Sequence, residues 1–237
     1  MNRTILIAFL FLNFGLSSFG QTPMQVMEKI IQAYQTKETL SYYGKYKYFE
    51  NLTSTKPTDS LESYIVMSDY NMYFKIADYE IVGGKDYSVF TDNKKKQIVL
   101  EIRQESEGRK KDLNFLSNLL TTTGASVSAY KNDNSINAIT IEYTNQSITR
   151  IDVFYNRSNY YVEKCIIRYL DHIDSKSGQP VFVRLEIEYF NFVKTEKAVA
   201  PEYTISKYIQ LNKNKTFSVQ NTYAKYSLVN LTELKKI

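Results

Sequence analysis

The chain has few of the residue types that most often supply chemistry or covalent cross-links. It contains one cysteine, one histidine and no tryptophan among its 237 residues. A single cysteine excludes an internal disulfide, so the hydrophobic core must stabilise the fold unaided. Because free cysteines are usually buried, we expect Cys165 to be a small buried hydrophobe and not a reactive thiol.

The single histidine, His172, leaves little scope for metal or nucleophilic chemistry. No second histidine exists to share a metal ion, and the neighbouring Asp171 and Asp174 are typical of a solvated turn. A histidine-dependent nucleophile would need His172 as its base, and no Gly-x-Ser-x-Gly motif is present. Glu186 and Glu188 share one face of a predicted strand, roughly 6–7 Å apart, which is loosely compatible with a pair of catalytic carboxylates. Simple alternation along a solvent-facing strand produces the same pattern. We therefore predict no metal, no cofactor and no enzymatic activity.

A strong excess of one charge is also absent. The net charge of +5 is spread over a long chain, which indicates ordinary solubility and not a nucleic-acid-binding surface. The densest basic runs, at 94–96 and 109–111, fall at predicted turns, and a transient contact with an anionic membrane surface is compatible with them. No linker, repeat or low-complexity tract divides residues 21–237, so we predict a single domain and a monomer.

Long apolar runs are confined to residues 1–20. Arg3 precedes the apolar stretch 4–16, and the small residues Ser17, Ser18 and Gly20 follow it. This order is typical of a cleavable signal peptide, and the run is shorter than the roughly 20 residues that span a bilayer. We predict cleavage after Gly20, no lipid attachment because no cysteine follows the cut, and a periplasmic or secreted mature protein.

Tyrosine and phenylalanine, in contrast, are abundant, with 21 and 13 copies. They suit pleated, half-buried strands and equally an aromatic-lined cavity. Two long predicted strands, 40–49 and 181–192, alternate between an apolar or aromatic face and a face with charged residues. One buried and one wet face is typical of an antiparallel sheet that is covered on a single side. The residues on the apolar faces include Tyr46, Tyr48, Leu185, Ile187 and Tyr189.

Two helices are predicted among many strands, which include Ser63–Ser68 and Ile205–Leu211. The first covers Met24–Tyr34, with Thr22 as its cap, and the second follows Asp112 and covers 113–120. Two short helices cannot cover a sheet of roughly ten strands unless the sheet curls. The sequence therefore predicts a mainly β fold, namely a strongly curved antiparallel sheet that forms an open half-barrel with helices on its concave side.

This layout resembles the LolA-like superfamily of periplasmic lipoprotein carriers, in particular its divergent exported members in Bacteroidota. The resemblance lies in the signal ending Phe19-Gly20-Gln21, the helix Met24–Tyr34, the tyrosine-rich strand Leu40–Phe49 and the paired strands Tyr160–Leu170 and Val181–Phe192. It implies an open β-barrel whose helices form a lid over an apolar cavity that binds acyl chains without catalysis. The carriers also use an arginine early in the sheet to gate ligand release.

The resemblance leads us to expect a periplasmic carrier that holds a lipid or other hydrophobic ligand in a half-barrel cavity. Where the carriers have the gating arginine, this chain has Lys45 and Lys47. The expected lid residues are Met27, Ile31, Phe115, Leu116 and Leu119, and the expected floor residues are Tyr46, Tyr48, Leu185, Ile187 and Tyr189. The same side chains could instead fill a solid core. That arrangement would favour a structural or interaction protein of the cell envelope, which binds a partner through an aromatic patch or strand edge.

Overall fold

The computed structural model describes residues 22–34, 38–68, 71–103, 125–131, 136–144, 147–214 and 216–232. The predicted signal peptide at 1–20 lies outside the described residues. So does the predicted second helix, which carries Phe115, Leu116 and Leu119.

Within these ranges the chain forms one α-helix, α1 (Pro23–Tyr34), and a series of strands. The strands of the first half are β1 (Thr39–Phe49), β2 (Asp59–Ser68), β3 (Asn71–Ile76), β4 (Tyr79–Gly83), β5 (Tyr87–Asp92) and β6 (Gln97–Ile102). Those of the second half are β7 (Ala125–Lys131), β8 (Ile136–Tyr143), β9 (Ile148–Asn156), β10 (Val162–Ile173) and β11 (Pro180–Thr195). Three short strands follow, namely β12 (Ile209–Leu211), β13 (Phe217–Val219) and β14 (Ser227–Asn230).

Twelve of these strands form one sheet, in the order β14-β6-β5-β4-β3-β2-β1-β11-β10-β9-β8-β7. The sheet is curved, dominated by antiparallel pairs and not closed into a barrel, so the predicted fold class is confirmed. The one parallel pair within the described sheet joins β14 to β6. β12 and β13 pair only with each other, as a separate two-stranded sheet.

The start of α1 follows from its sequence. The amide of Gln25 donates to Oγ1 of Thr22 at 3.2 Å, and the amide of Thr22 donates to Oε1 of Gln25 at 2.9 Å. This reciprocal pair satisfies donors that a helix N-terminus otherwise leaves without partners. Met27 and Ile30, one turn apart, are fully buried, because the apolar side of the helix packs against the sheet.

The face of the sheet on which α1 packs is here called the helix face. It carries the first of two hydrophobic clusters, here called the α1 cluster. Leu40 and Tyr42 of β1 join Met27 and Ile30 in this cluster, together with apolar residues of β8 and β9. Because side chains alternate along a strand, Tyr46 and Tyr48 lie on the helix face as well. The other side of the sheet is called the opposite face.

The second cluster lies on the opposite face, over β2–β6. Its cover is made by residues 199–214 and 216–226, here called the C-terminal cover, which contribute the fully buried Tyr208 and the buried Tyr223. The sequence predicted a strand from Ile205 to Leu211, and the first part of this prediction is wrong. Ile205–Lys207 form a 3-10 turn, closed by the Tyr208 amide donating to the Ile205 carbonyl at 3.0 Å. Tyr208, the residue that follows this turn, is fully buried in the second cluster.

Candidate functional site

An open pocket of about 160 Å³ lies on the helix face, where β1, β2, β3 and β11 adjoin. Its walls are almost wholly carbon, and its lining residues are Tyr46, Tyr48, Asp59, Ser60, Leu61, Ile76 and Leu185. The strand register brings them together, since Tyr46 pairs with Leu61 on β2, and Tyr48 pairs with Leu185 on β11. The pocket therefore occupies the end of β1 that follows Leu40 and Tyr42, the β1 residues in the α1 cluster.

Beneath the pocket, Gly44 makes room for a layer of hydroxyl groups. A Cβ at Gly44 would lie 2.6 Å from Oγ of Ser63 and 3.3 Å from Cε2 of Tyr46. The Tyr46 hydroxyl is hydrogen-bonded to the side chains of Ser63 and Tyr189. Burial raises the pKa of Tyr46 and raises that of Tyr189 more strongly. These phenols stay neutral and join the pocket floor to the core.

The structure divides the predicted cavity residues into two groups. Tyr46, Tyr48 and Leu185 line the pocket. The other described residues do not line the pocket. Three of them belong to the α1 cluster or pack against it, namely Met27, Ile31 and Tyr189. The fourth, Ile187, is buried on β11. Met27 is 0% exposed and belongs to the α1 cluster. A ligand-binding role for the first group stays a prediction.

Sequence reasoning missed Asp59 and Leu61, which also line the pocket. The sequence predicted that β2 begins at Ser63, whereas it begins at Asp59. A signal was present, because Leu61 continues the two-residue period of Ile65 and Met67 toward the N-terminus. The period was not recognised, because Leu61 is the one apolar residue in 59–63.

The end of the pocket at Asp59 and Tyr48, here called the rim, carries acidic and aromatic side chains. Asp59 lies directly across from Tyr48 in the register of β1 and β2. Partial burial raises the pKa of Tyr48, and the carboxylates of Asp171 and Glu50 raise it further. Burial and Asp171 likewise raise the pKa of Tyr169. Asp59 therefore lines this end of the pocket, and the carboxylates of Asp171 and Glu50 raise the pKa of Tyr48 there.

The opposite face of the same strands carries a network of ion pairs. Lys164 Nζ lies 2.7 Å from Oε2 of Glu186, and Lys47 Nζ lies 2.7 Å from Oε2 of Glu188. Arg184 Nε adds a second contact to Glu186 at 2.9 Å. The pair of glutamates considered in the sequence as a catalytic arrangement is thus held by lysine and arginine side chains. The charged residues of β11 share one face, as predicted, but this face is only partly wet, because the side chains of Arg184 and Glu186 are 15% and 14% exposed.

The two lysines at the position of the expected gating arginine also lie on the opposite face. Lys47 pairs with Glu188 at 2.7 Å, and Lys45 approaches Glu62 at 3.8 Å. Neither lines the pocket. A gating role for these two residues therefore has no geometric support.

The lone histidine and cysteine lie apart from the pocket lining. Nδ1 of His172 is 2.9 Å from Oδ2 of Asp171, with both side chains exposed at the end of β10. Cys165 packs against the α1 cluster, and burial raises the pKa of its thiol to about 12. Among the described residues, no three or more side chains of His, Cys, Asp or Glu are grouped as a metal ion would require. The part of the chain that the structure describes has no helix with the length and apolarity to cross a membrane.

No protein-family model and no curated protein matches this chain. Among solved structures it is similar to an uncharacterised conserved protein from Thermus thermophilus, with 6% identity, a TM-score of 0.44, and 78% of this chain and 98% of that chain covered. It is also similar to a LolA superfamily protein from Nitrosomonas europaea, with 11% identity, a TM-score of 0.34 and coverage of 78% and 98%. A third is the MucA/MucB complex of Pseudomonas aeruginosa, with 12% identity, a TM-score of 0.44 and coverage of 76% and 59%. Similarities at this level do not establish a family.

Proposed function

We propose that this protein is a periplasmic or secreted binding protein, not an enzyme, which holds part of a hydrophobic ligand in the pocket on the helix face. The observation that carries the proposal is the carbon-lined pocket between Tyr46, Leu61 and Leu185. Apolar pockets with a few polar groups are typical of small-molecule sites. The signal-peptide pattern at residues 1–20 supports the location.

The size of the pocket limits what it holds. A cavity of about 150 Å³ takes up one benzene molecule, and sites for drug-sized ligands are roughly 300–1,000 Å³. At about 160 Å³, the pocket accommodates the end of an acyl chain or a single ring, and not a whole lipid. The rest of a larger ligand must lie outside it.

An apolar surface is available next to the pocket for that remainder. Ile76, which lines the pocket, pairs across β3 and β4 with Tyr79. Tyr79 stacks on Phe90 with ring centroids 5.6 Å apart, and these rings are 41% and 37% exposed. Large apolar side chains this exposed on one face are typical of binding surfaces. A chain that leaves the pocket past Leu61 and Ile76 would therefore continue over this aromatic pair.

The proposal is tested by filling the pocket. Leu61 lines it and is 42% exposed, so Leu61→Trp fills the space without burying a charge. The control is Leu211→Trp, at a leucine that is 63% exposed on β12 and outside the pocket. Binding of the neutral fluorophore N-phenyl-1-naphthylamine, with dodecyl maltoside as competitor, is measured for the mature chain and both variants. Solvent extraction and mass spectrometry of the wild-type protein identify any bound lipid.

We expect Leu61→Trp to weaken fluorophore binding by roughly tenfold, because about 50 Å² of apolar contact is lost. Leu211→Trp should bind as the wild type does. Equal binding by all three proteins, or no binding and no extracted lipid, would contradict the proposal.

A second candidate function is that of an envelope interaction protein, and exposed aromatic rings on the opposite face favour it. Tyr43 lies 4.8 Å from Tyr64 and 5.9 Å from Phe190 between ring centroids. Tyr43 is 43% exposed and Phe190 37%. Crosslinking in the native host with wild type and the double variant Tyr43→Ser, Phe190→Ser tests it. A partner that is lost with the variant supports this candidate, and an unchanged crosslinking pattern opposes it.

A further inference from the structure

Carboxylates lie at the rim of the pocket. An inference about the ligand follows from their charge, and it rests on the proposed function. Asp59 belongs to the pocket lining, while Asp171 and Glu50 act electrostatically on Tyr48 at the same end. All three carboxylates are exposed. A head group held at this rim would therefore meet carboxylates contributed by β2, β10 and the residue that follows β1.

The cations of the neighbouring strands are engaged elsewhere. Lys47 and Lys164 bind Glu188 and Glu186 on the opposite face. Arg184 donates to the carbonyl of Ser54 at 2.8 Å and lies over the ring of Phe49 at 4.1 Å. These contacts direct the positive charges of β1, β10 and β11 away from the pocket.

Two basic side chains of the described residues lie near the rim in sequence. Lys56 is exposed in the loop before Asp59, and His172 contacts Asp171 at 2.9 Å. Against them stand three carboxylates, so negative charge predominates at this end of the pocket. The net charge of +5 for the whole chain does not reverse this, because charges beyond about 8 Å are largely screened at physiological salt.

The aromatic rings at the rim add a second attraction for a cation. Tyr48 lines the pocket, and Tyr169 of β10 pairs with Val183 of β11, two residues from the pocket residue Leu185. The face of a tyrosine ring attracts ammonium groups, and quaternary ammonium ligands are commonly held by aromatic side chains. Carboxylates and aromatic faces at the mouth of an apolar pocket thus both favour a ligand with a cationic head group and an apolar tail.

We infer that the pocket takes the apolar end of an amphiphile with a positively charged head group, an amine or quaternary ammonium, and discriminates against an anionic one. The hydrocarbon lies between Tyr46, Leu61 and Leu185. The head group lies at Asp59 and Tyr48, within reach of Asp171. A free fatty acid would place its carboxylate against the carboxylates of the rim.

Three probes with the same twelve-carbon chain test this inference, namely dodecyltrimethylammonium, dodecyl maltoside and dodecyl sulfate. Each is titrated into the mature protein below its micelle concentration, and the dissociation constant is measured by displacement of N-phenyl-1-naphthylamine. We expect the cation to bind tightest and the anion weakest, with roughly a tenfold ratio between them from a few partly exposed charge pairs. Because the Debye length is about 3 Å at 1 M salt, that ratio should fall toward one there.

Asparagine substitutions show which carboxylates are responsible. Oδ1 of Asp59 accepts a hydrogen bond from the Ser60 amide at 2.7 Å. Asp59→Asn keeps an oxygen for this hydrogen bond and so removes the charge alone. We expect Asp59→Asn and Asp171→Asn each to weaken binding of the cationic probe by about threefold. Asp171 lies outside the pocket lining, so Asp171→Asn should leave binding of the maltoside unchanged. The matched control is Glu62→Gln, on the same strand but on the opposite face and 69% exposed.

The outcomes separate this inference from the proposed function. Equal affinity for the three probes, or tightest binding of the sulfate, overturns the charge preference and leaves the pocket as a binding site. A loss with Glu62→Gln equal to that with Asp59→Asn overturns it too, because the effect would then be general. If none of the three probes binds, both the inference and the proposed function are wrong.

Discussion

In one half of the sheet, formed by β1 and β7–β11, α1 covers the helix face and the opposite face carries ion pairs. In the other half, formed by β2–β6 and β14, the C-terminal cover lies on the opposite face. The change occurs within β2, where Ile65 belongs to the α1 cluster and the next residue, Val66, belongs to the second cluster. The pocket lies at this boundary, because one cover ends there and the other lies on the far side of the sheet.

Both halves bury carboxylates, and Asp152 and Glu80 show how the surroundings differ. Asp152, 2% exposed, is held by Arg168, Arg150 and Thr140. Glu80, 7% exposed, accepts hydrogen bonds from Tyr208 and Lys207 of the cover and from Asn93, which follows β5. Burial alone would raise the pKa of each carboxyl, but the hydrogen bonds lower it. In one half the donors are arginines of the sheet itself, and in the other they come largely from the cover.

The largest expected effect tests whether the two halves fold as one unit. Met27 and Ile98 are each 0% exposed, in the first and second cluster respectively. Met27→Ala and Ile98→Ala should each lower the free energy of unfolding by about 3 kcal/mol, because each leaves a cavity in a packed core. Since β2 contributes to both clusters, urea denaturation should show one transition for each variant. The measurement is circular dichroism in parallel with tyrosine fluorescence.

Two separate transitions in either variant would show that the halves unfold independently. The control is Leu211→Ala, at a position 63% exposed. It should stay within about 0.5 kcal/mol of the wild type, as surface substitutions usually do.

A somewhat smaller loss of stability is expected when Glu80, the carboxylate beneath the C-terminal cover, loses its charge. Oε2 of Glu80 accepts from Lys207 Nζ at 2.9 Å and from the Tyr208 hydroxyl, and Oε1 accepts from Asn93 at 3.1 Å. Glu80→Gln should cost about 2 kcal/mol at pH 7, because hydrogen bonds to a charged group are weakened. Thermal unfolding from pH 7 to pH 3 measures it, with Glu101→Gln, an exposed carboxylate of β6, as control.

The pH dependence has a definite sign. The pKa of Glu80 is lowered in the folded protein, so its contribution is complete above the unfolded pKa of about 4.3. It is lost as the pH falls through the lower folded value. The difference between wild type and Glu80→Gln should therefore shrink below about pH 4. A difference that stays constant to pH 3 would show that the charge of Glu80 is not what stabilises the cover.

Much of the sheet was predictable, because alternation along a strand is a local property of the sequence. The period of two in β1 and β11 predicted which side chains share a face, and the register confirms it. The cover was not predictable, since the choice of face depends on long-range contacts such as Tyr208 with Glu80. The pocket was predicted in part, because Tyr46, Tyr48 and Leu185 follow the period. Asp59 could be assigned to the site only once the register of β2 was known.

A smaller effect is expected at Gly44, beneath the pocket. In Gly44→Ala the new methyl carbon would lie 2.6 Å from Oγ of Ser63, so Ser63 must rotate away from the Gly44 carbonyl, to which it now donates at 3.4 Å. We expect a loss of about 1–2 kcal/mol and weaker fluorophore binding, because Tyr46 shifts as well. Adding Ser63→Ala should recover part of the stability. If the two changes are simply additive in a double-mutant cycle, the contact with Ser63 is not the cause.

The smallest effect is expected on the opposite face, where exposure decides the contribution of a charge pair. Lys45 Nζ lies 3.8 Å from Oε1 of Glu62, with side chains 41% and 69% exposed. Glu62→Gln should change the free energy of unfolding by less than about 0.5 kcal/mol, because water and salt already screen both groups. Asp152→Asn on the same face should cost about 2 kcal/mol, since the buried Asp152 holds two arginines. Urea denaturation of both variants measures the contrast. Equal losses would mean that the ion pairs of this face act as one network, in which the exposed end is as important as the buried end.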